Sequence, residues 1–136
     1  MLEVVDLWKS YEDLPLLRGL SFTVTEGETV CLLGASGSGK STLLRILAGL
    51  EAPEQGQVRW DGQDLSTVPA YQRNFGLVFQ DYALFPHMTV AENVAFGLSM
   101  RDQPRTETEA RVSEILAQVN LSGLAHRRVT DLSGGE

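Results

Sequence analysis

The chain has 136 residues, 43% of them hydrophobic, with 11 basic against 18 acidic side chains and a net charge of −7. That size suits one domain with a core of its own, while the acidic balance argues against wide contact with nucleic-acid phosphates, so no nucleic-acid partner is expected. A lone cysteine, Cys31, excludes an internal disulfide framework and fits a reducing compartment. No apolar run is long enough to cross a bilayer, and Met1 to Asp6 has neither the basic nor the apolar region of a signal peptide. The chain is therefore expected to be soluble, or held at a membrane only through a partner.

The first elements read as strands. Leu2, Val4, Asp6 and Trp8 alternate on one face of a first strand, and Leu20, Phe22 and Val24 on one face of a second. Glu26-Gly27-Glu28 then turns the chain into a third strand, Val30-Cys31-Leu32-Leu33, where Cys31 is expected to be a small core residue.

The next nine residues, Gly34-Ala35-Ser36-Gly37-Ser38-Gly39-Lys40-Ser41-Thr42, lead into the helical pattern Leu43-Leu44-Arg45-Ile46-Leu47. Strand, glycine-rich loop and helix in this order make a phosphate-binding loop that holds a nucleoside triphosphate. Glycines let the backbone curl so that successive N–H groups point at phosphate oxygens, and the following helix adds the positive end of its dipole. The expected nucleotide contacts are Gly34, Ser36, Gly37, Ser38, Gly39, Lys40, Ser41 and Thr42. Lys40 supplies a cation to the β- and γ-phosphates and is the first candidate catalytic residue, while the Ser41 hydroxyl is placed to bind the Mg²⁺ that accompanies the nucleotide.

After this helix, Pro53 and Gly56 break the pattern, Gln57-Val58-Arg59-Trp60 reads as a strand, and Asp61-Gly62 as a tight hairpin turn. Asn74 to Gln80 is expected to be a further, buried strand. Beyond it, Thr89-Val90-Ala91-Glu92 and Thr106-Glu107-Thr108-Glu109 both fit the capping box that opens a helix. Val112, Ile115, Leu116 and Val119 follow at helical spacing as a core stripe, and Arg101 to Arg105 around Pro104 reads as an exposed connection. The order of elements suggests one α/β nucleotide-binding core with a helical insert after Gln80.

The last residues, Leu132-Ser133-Gly134-Gly135-Glu136, resemble the signature sequence of ATP-binding cassette (ABC) ATPases, and Gln80 stands where that family's Q-loop glutamine follows a strand. With the phosphate loop, these motifs occur in the family's order over essentially the whole chain. The segment from Val78 to Val94 is similar to that of the ATPase subunits of bacterial solute importers, in the group serving iron(III), polyamines, sulfate and sugars. In that family the stretch after the Q-loop accepts a short helix of the membrane subunit. Tyr82, Leu84, Phe85 and Pro86 are apolar enough for such a groove, and equally for packing the helical insert onto the core.

The resemblance implies an α/β fold, a P-loop NTPase core with an N-terminal antiparallel β region and a helical insert, cut off before the Walker B strand. Residues 1–87 would be the incomplete nucleotide-binding core with its β subdomain, and 88–136 the helical subdomain up to the signature. It implies ATP and Mg²⁺ as cofactors. Tyr11 stands where the family places an aromatic ring that stacks on adenine, with Trp8 as the rival position. Gln80 would touch Mg²⁺ or the attacking water, which makes it the second candidate catalytic residue and a metal ligand with Ser41. Ser133, Gly134, Gly135 and Glu136 would meet the γ-phosphate of ATP bound in a second copy of the subunit, the two copies being head to tail. Glu136 stands where the family more often has Gln, a change expected to be tolerated. Integral membrane permease subunits and, indirectly, a solute-binding protein would be the other partners. The expected place is the cytoplasmic face of the inner (plasma) membrane, as a peripheral subunit.

The sequence stops at Glu136, whereas the family continues to a strand ending in paired carboxylates and to a switch histidine. The acidic pairs here, Glu3 with Asp6, Glu12 with Asp13 and Glu51 with Glu54, are expected on edges or turns. The full-length form is expected to be an ABC-type ATPase coupled to transport. This stretch alone is expected to bind nucleotide weakly, to hydrolyse it negligibly and to fold marginally. The alternative reading is a non-catalytic nucleotide-binding or regulatory module that docks on a transporter.

Overall fold

The computed structural model describes residues 1–12, 14–100 and 104–136. Asp13, and Arg101 to Gln103 of the expected connection, lie outside the described residues. The chain divides into two compact units, Met1–Leu77 and Val78–Glu136.

The first unit is built on a four-stranded antiparallel sheet in the order β2-β1-β3-β4, from β1 (Leu2–Tyr11), β2 (Leu14–Val24), β3 (Gln55–Trp60) and β4 (Gln63–Asp64). Val4 pairs with Phe22 on one side and Val58 on the other, which centres the core on β1. The helix α1 (Lys40–Ala48) lays Leu43 and Ile46 onto this face, where they join Val4, Leu7, Leu17, Val58 and Leu65. The hairpin forms as read: Asp61 and Gly62 both take positive φ, 48° and 81°, the pattern of the turn that matches strand twist.

The alternation read along β1 holds only as far as Val4. Asp6 adopts φ 48° and the pairing register slips between Val4 and Leu7, so one residue is inserted and every later side chain changes face. Leu7 rather than Asp6 follows Val4 into the core. Trp8, expected inside, is 39% exposed, donates its indole N–H to Asp6 Oδ1 at 2.8 Å and lies against Gly19. Lys9 and Tyr11 now share the face of Leu7, the face α1 covers.

Two expected strands are not strands. Residues 28–35 and 75–79 make no ladder with any described residue, and Leu33 is 94% and Val78 85% exposed. An extended apolar segment becomes a strand only where a neighbour offers its N–H and C=O groups. Cys31, expected in the core, is accordingly exposed. Phe75 alone of the second segment finds a ring partner, Trp60, at 5.2 Å.

The second unit holds α2 (Val90–Ser99) and α3 (Arg105–Gln118), whose Val90, Val112 and Leu116 form its core with Ala91, Val94, Leu98, Leu121 and Leu132 against them. The start of α2 is fully satisfied. Thr89 and Glu92 form the expected capping box, and the N–H groups of Val90 and Ala91 donate to the carbonyls of Arg127 and Ala125, both at 2.9 Å. The second capping box does not form. The cap position of α3 is Pro104, so Thr106 lies inside the helix, and Glu109 pairs instead with Arg105 at 2.8 Å. Val119, placed in the core stripe, is the helix's exposed C-cap. Residues 78–87, assigned from sequence to the first domain, fall in the second unit. The Asn93 amide explains this, because it accepts from the Phe85 N–H at 2.9 Å and donates to the Phe85 and Thr89 carbonyls at 3.2 and 2.9 Å.

Candidate nucleotide-binding site

The loop from Gly34 to Thr42 lies in the first unit and runs into α1. Gly39, the N-cap of α1, takes φ 91°, a conformation open to glycine. A side chain there would also meet Leu16 Cγ at 2.9 Å, so this residue sets both the curl of the loop and its close approach to β2. The Ser38 N–H donates to the Ala35 carbonyl at 3.2 Å, and Lys40 Nζ reaches back to the carbonyls of Gly34 and Ala35 at 2.8 and 2.7 Å and to Ser38 Oγ at 3.4 Å. The ammonium thus lies over the loop it belongs to.

The N-termini of α1 and α2 contrast. At α2 every first-turn donor has an acceptor. At α1 the Leu43 N–H returns to the Gly39 carbonyl at 2.8 Å, but the N–H groups of Lys40, Ser41 and Thr42 meet no acceptor among the described residues, and the first turn carries no acidic side chain. Free donors, the positive helix end and an ammonium converge on one spot, an arrangement suited to a polyanion. Ser41 is exposed and its hydroxyl makes no hydrogen bond among the described residues, whereas Thr42 is 8% exposed and packs inward. Ser36, Gly37 and Ser38 line the exposed rim. A cleft of about 550 Å³ runs along Leu16 to Ser21 of β2 and reaches Gly34, Ser38 and Lys40.

Tyr11 joins this site from β1. Its hydroxyl donates to Glu51 Oε1, just past the end of α1. The bond to Glu51 raises the phenol pKa and lowers that of the Glu51 carboxyl. Lys9 Nζ pairs with Glu51 at 3.1 Å and stands 5.5 Å from the Tyr11 ring centroid. The sequence places Glu51 on an edge or turn and gives it no role at this site. The only signal for it was an acid near the helix end that would meet Lys9 and Tyr11, two apart on one face, and this needs the bulge at Asp6 to be known.

In the second unit, Gln80 is exposed and stands at the head of a turn in which the Tyr82 N–H donates to the Phe79 carbonyl at 3.0 Å. Tyr82 and Ala83 both take positive φ, 62° and 48°. Such strain in residues with side chains gathers at functional sites. Phe85 packs on Phe96 at 4.5 Å and on His87 at 6.2 Å. The Tyr82 hydroxyl donates to the Gly134 carbonyl at 3.2 Å, which joins the turn after Gln80 to the glycine pair near the end of the sequence. There, Ser133 donates both its N–H and its hydroxyl to Glu136 Oε2 at 2.9 Å, and these bonds hold the Glu136 carboxyl below the usual carboxylate range. Ser133 and Glu136 thus form one half of a capping box around Gly134 and Gly135, the Glu136 N–H donating to the Ser133 carbonyl at 3.0 Å rather than to its hydroxyl.

Residues 17–136 match the family described as ABC transporter. The chain is similar to the putrescine transport ATP-binding protein PotG of Escherichia coli, with 50% identity over 136 residues. It is similar also to the sulfate/thiosulfate import ATP-binding protein CysA of Synechocystis, with 49% identity over 128 residues, and to the spermidine/putrescine import ATP-binding protein PotA of Aggregatibacter actinomycetemcomitans, with 46% over 136. These matches cover 100%, 94% and 100% of this chain but 36%, 36% and 37% of the relatives. The chain therefore spans little more than a third of the length of the proteins it resembles.

Proposed function

This chain belongs to the ABC transporter family, and from that premise we propose that it is the nucleotide-binding N-terminal part of the ATPase subunit of a bacterial importer. The observation that carries the reading is the start of α1, where unpaired N–H groups of Lys40, Ser41 and Thr42 converge with the Lys40 ammonium and no carboxylate competes. ATP is the ligand. Its phosphates lie in the loop from Gly34 to Thr42, and Lys40 exchanges the Gly34 and Ala35 carbonyls for β- and γ-phosphate oxygens, a gain because those oxygens carry full charge.

Mg²⁺ fits the same place. The Ser41 hydroxyl is exposed and uncommitted, so it would hold the ion beside the phosphates, and Gln80 would be the further side-chain ligand. Bound there, it neutralises charge on the phosphate oxygens during transfer. Gln80 also orients water. Tyr11 stacks on adenine, supported by the register slip that turns it, and not Trp8, to the face of α1.

Ser133, Gly134, Gly135 and Glu136 face the γ-phosphate held by a second copy, in a head-to-tail dimer. To donate there, Ser133 must turn its hydroxyl away from Glu136. Integral membrane permease subunits dock on the second unit, the Tyr82 to Pro86 turn being the contact, and a solute-binding protein acts through them. No described helix is long and apolar enough to cross a membrane, and the subunit works at the cytoplasmic face of the inner membrane through the permease. The unpaired segments 28–35 and 75–77 are edges that further strands of a longer protein would cover. In that arrangement residues 1–87 carry the nucleotide contacts and the permease turn, and 88–136 the helical subdomain that meets the partner copy.

The test is ATP hydrolysis by the whole protein with its permease in vesicles. Turnover coupled to solute uptake, lost in Lys40→Ala and Gln80→Ala, supports the reading. Binding of ATP without turnover would favour a non-catalytic module instead.

A further inference from the structure

We propose that Glu51, braced by Lys9, is a positioning residue for the nucleotide base: it holds the Tyr11 ring where adenine stacks. The inference rests on the reading of Tyr11 given under Proposed function, and it begins from geometry. Tyr11 is the last residue of β1, followed by Glu12 at φ 48°, so its ring stands at a strand end with part of its surface in solvent. Such a ring is free to change rotamer unless its hydroxyl is tied. Glu51 ties it, and the same carboxylate is gripped by Lys9 at 3.1 Å. Lys9 is itself fixed, donating to the Ala52 carbonyl at 2.9 Å with Nζ 5.5 Å from the ring centroid. The side chains of the pair retain only 16% and 19% exposure, so the ion pair is partly desolvated and geometrically restrained.

Glu51 lies just past the end of the phosphate-loop helix, so the tie refers the ring to that helix. The ring is thus placed relative to the loop that would hold the phosphates, and base and phosphates of one nucleotide are registered together. Anchoring of the 51–54 loop does not require Glu51, because Glu54 already accepts from the Ser10 N–H and hydroxyl at 2.9 and 3.1 Å, and Ala52 is held by Lys9. The bond that remains for Glu51 is the one to the ring.

The experiment uses the whole protein and two probes, MgATP and base-free magnesium tripolyphosphate, in equilibrium titrations. Glu51→Leu and Tyr11→Phe are each expected to weaken ATP about fivefold, the size of one net hydrogen bond, with tripolyphosphate within about twofold of wild type. The double variant is expected to be no weaker than either single one, and Glu51→Gln, which keeps an acceptor, to restore most of the affinity. If Glu51→Leu does not fold, Tyr11→Phe carries the test, since it keeps the ring and removes only the bond. Equal weakening of both probes in Glu51→Leu would overturn the proposal, as would an unchanged ratio in Glu51→Leu while Tyr11→Ala lowers it. An unchanged ratio in Tyr11→Ala would overturn the stacking role itself.

Discussion

Arg73→Met removes one guanidinium that organises the end of the phosphate-loop helix. Arg73 donates from Nε to the Val68 carbonyl at 2.9 Å, from Nη1 to those of Ile46 and Leu47 at 3.0 Å each, and from Nη2 to that of Leu65 at 2.7 Å. Two of these acceptors are last-turn carbonyls of α1; that of Ile46 also accepts from the Gly49 N–H, and that of Leu65 from the Val68 N–H, both at 3.0 Å, which lowers the cost of losing the guanidinium there. Methionine keeps much of the stem's packing and none of the donors. Four carbonyls at about 1 kcal/mol each, discounted because the site is only part-buried and water can reach some of them, give a loss of about 2–3 kcal/mol. With a urea slope of about 1.5 kcal/mol per molar, the midpoint should fall by roughly 1.3–2 M. Urea unfolding followed by tryptophan fluorescence reads this directly, because Trp8 and Trp60 lie in β1 and β3 of the same unit. Gly49→Ala should fall in the same direction, since its Cβ would sit 2.5 Å from Arg73 Nε at a backbone φ of 79°. A midpoint shift under about 0.3 M in Arg73→Met would refute the reasoning, because it would mean that those carbonyls are as well served by water.

Gly39→Ala, which forces a side chain into φ 91° and against Leu16, should weaken MgATP binding by about tenfold or more in a calorimetric titration, by distorting the loop rather than by removing a contact. Thr89→Ala should destabilise the second unit by about 1 kcal/mol in denaturant unfolding, through loss of the α2 cap. The Thr89 N–H, and then its hydroxyl, hold the Glu92 carboxyl below its ordinary 4.5. A depressed folded value gives stability that is full above the unfolded value and lost as pH falls through the folded one, so the deficit of Glu92→Gln against wild type should shrink between about pH 6 and pH 3. Asn93→Ala, which frees the Phe85 N–H and leaves its carbonyl only the Met88 N–H, should speed limited proteolysis within residues 82–88 while leaving the first unit's cleavage pattern unchanged.

Local chemistry was legible in the sequence wherever a few neighbouring residues decide the outcome. The loop from Gly34 to Thr42, the Asp61-Gly62 hairpin turn and the Thr89–Glu92 capping box all form as read, because each depends on backbone freedom or on donors within four residues. Alternation along β1 misled beyond Val4, since a bulge at Asp6 leaves no mark in a pattern of apolar and polar residues, and with it the faces of Trp8 and Tyr11 were exchanged. Composition also overstated 30–33 and 74–80 as strands: apolar residues state a preference for pairing, and the partner decides. The second capping box failed because Pro104 takes the cap position ahead of Thr106 and a carboxylate on Glu109 found Arg105 nearer. Glu51 and Arg73 could not be read at all, because their partners lie 40 and 26 to 27 residues away in sequence.

The central claim is that the start of α1, with Lys40, holds nucleotide phosphates. Equilibrium titration of the protein with MgATP, wild type against Lys40→Ala, tests it most directly. The account predicts saturable binding that weakens by about tenfold or more in the variant, because a charge-assisted contact to phosphate is lost. Equal affinity in the two proteins would contradict it.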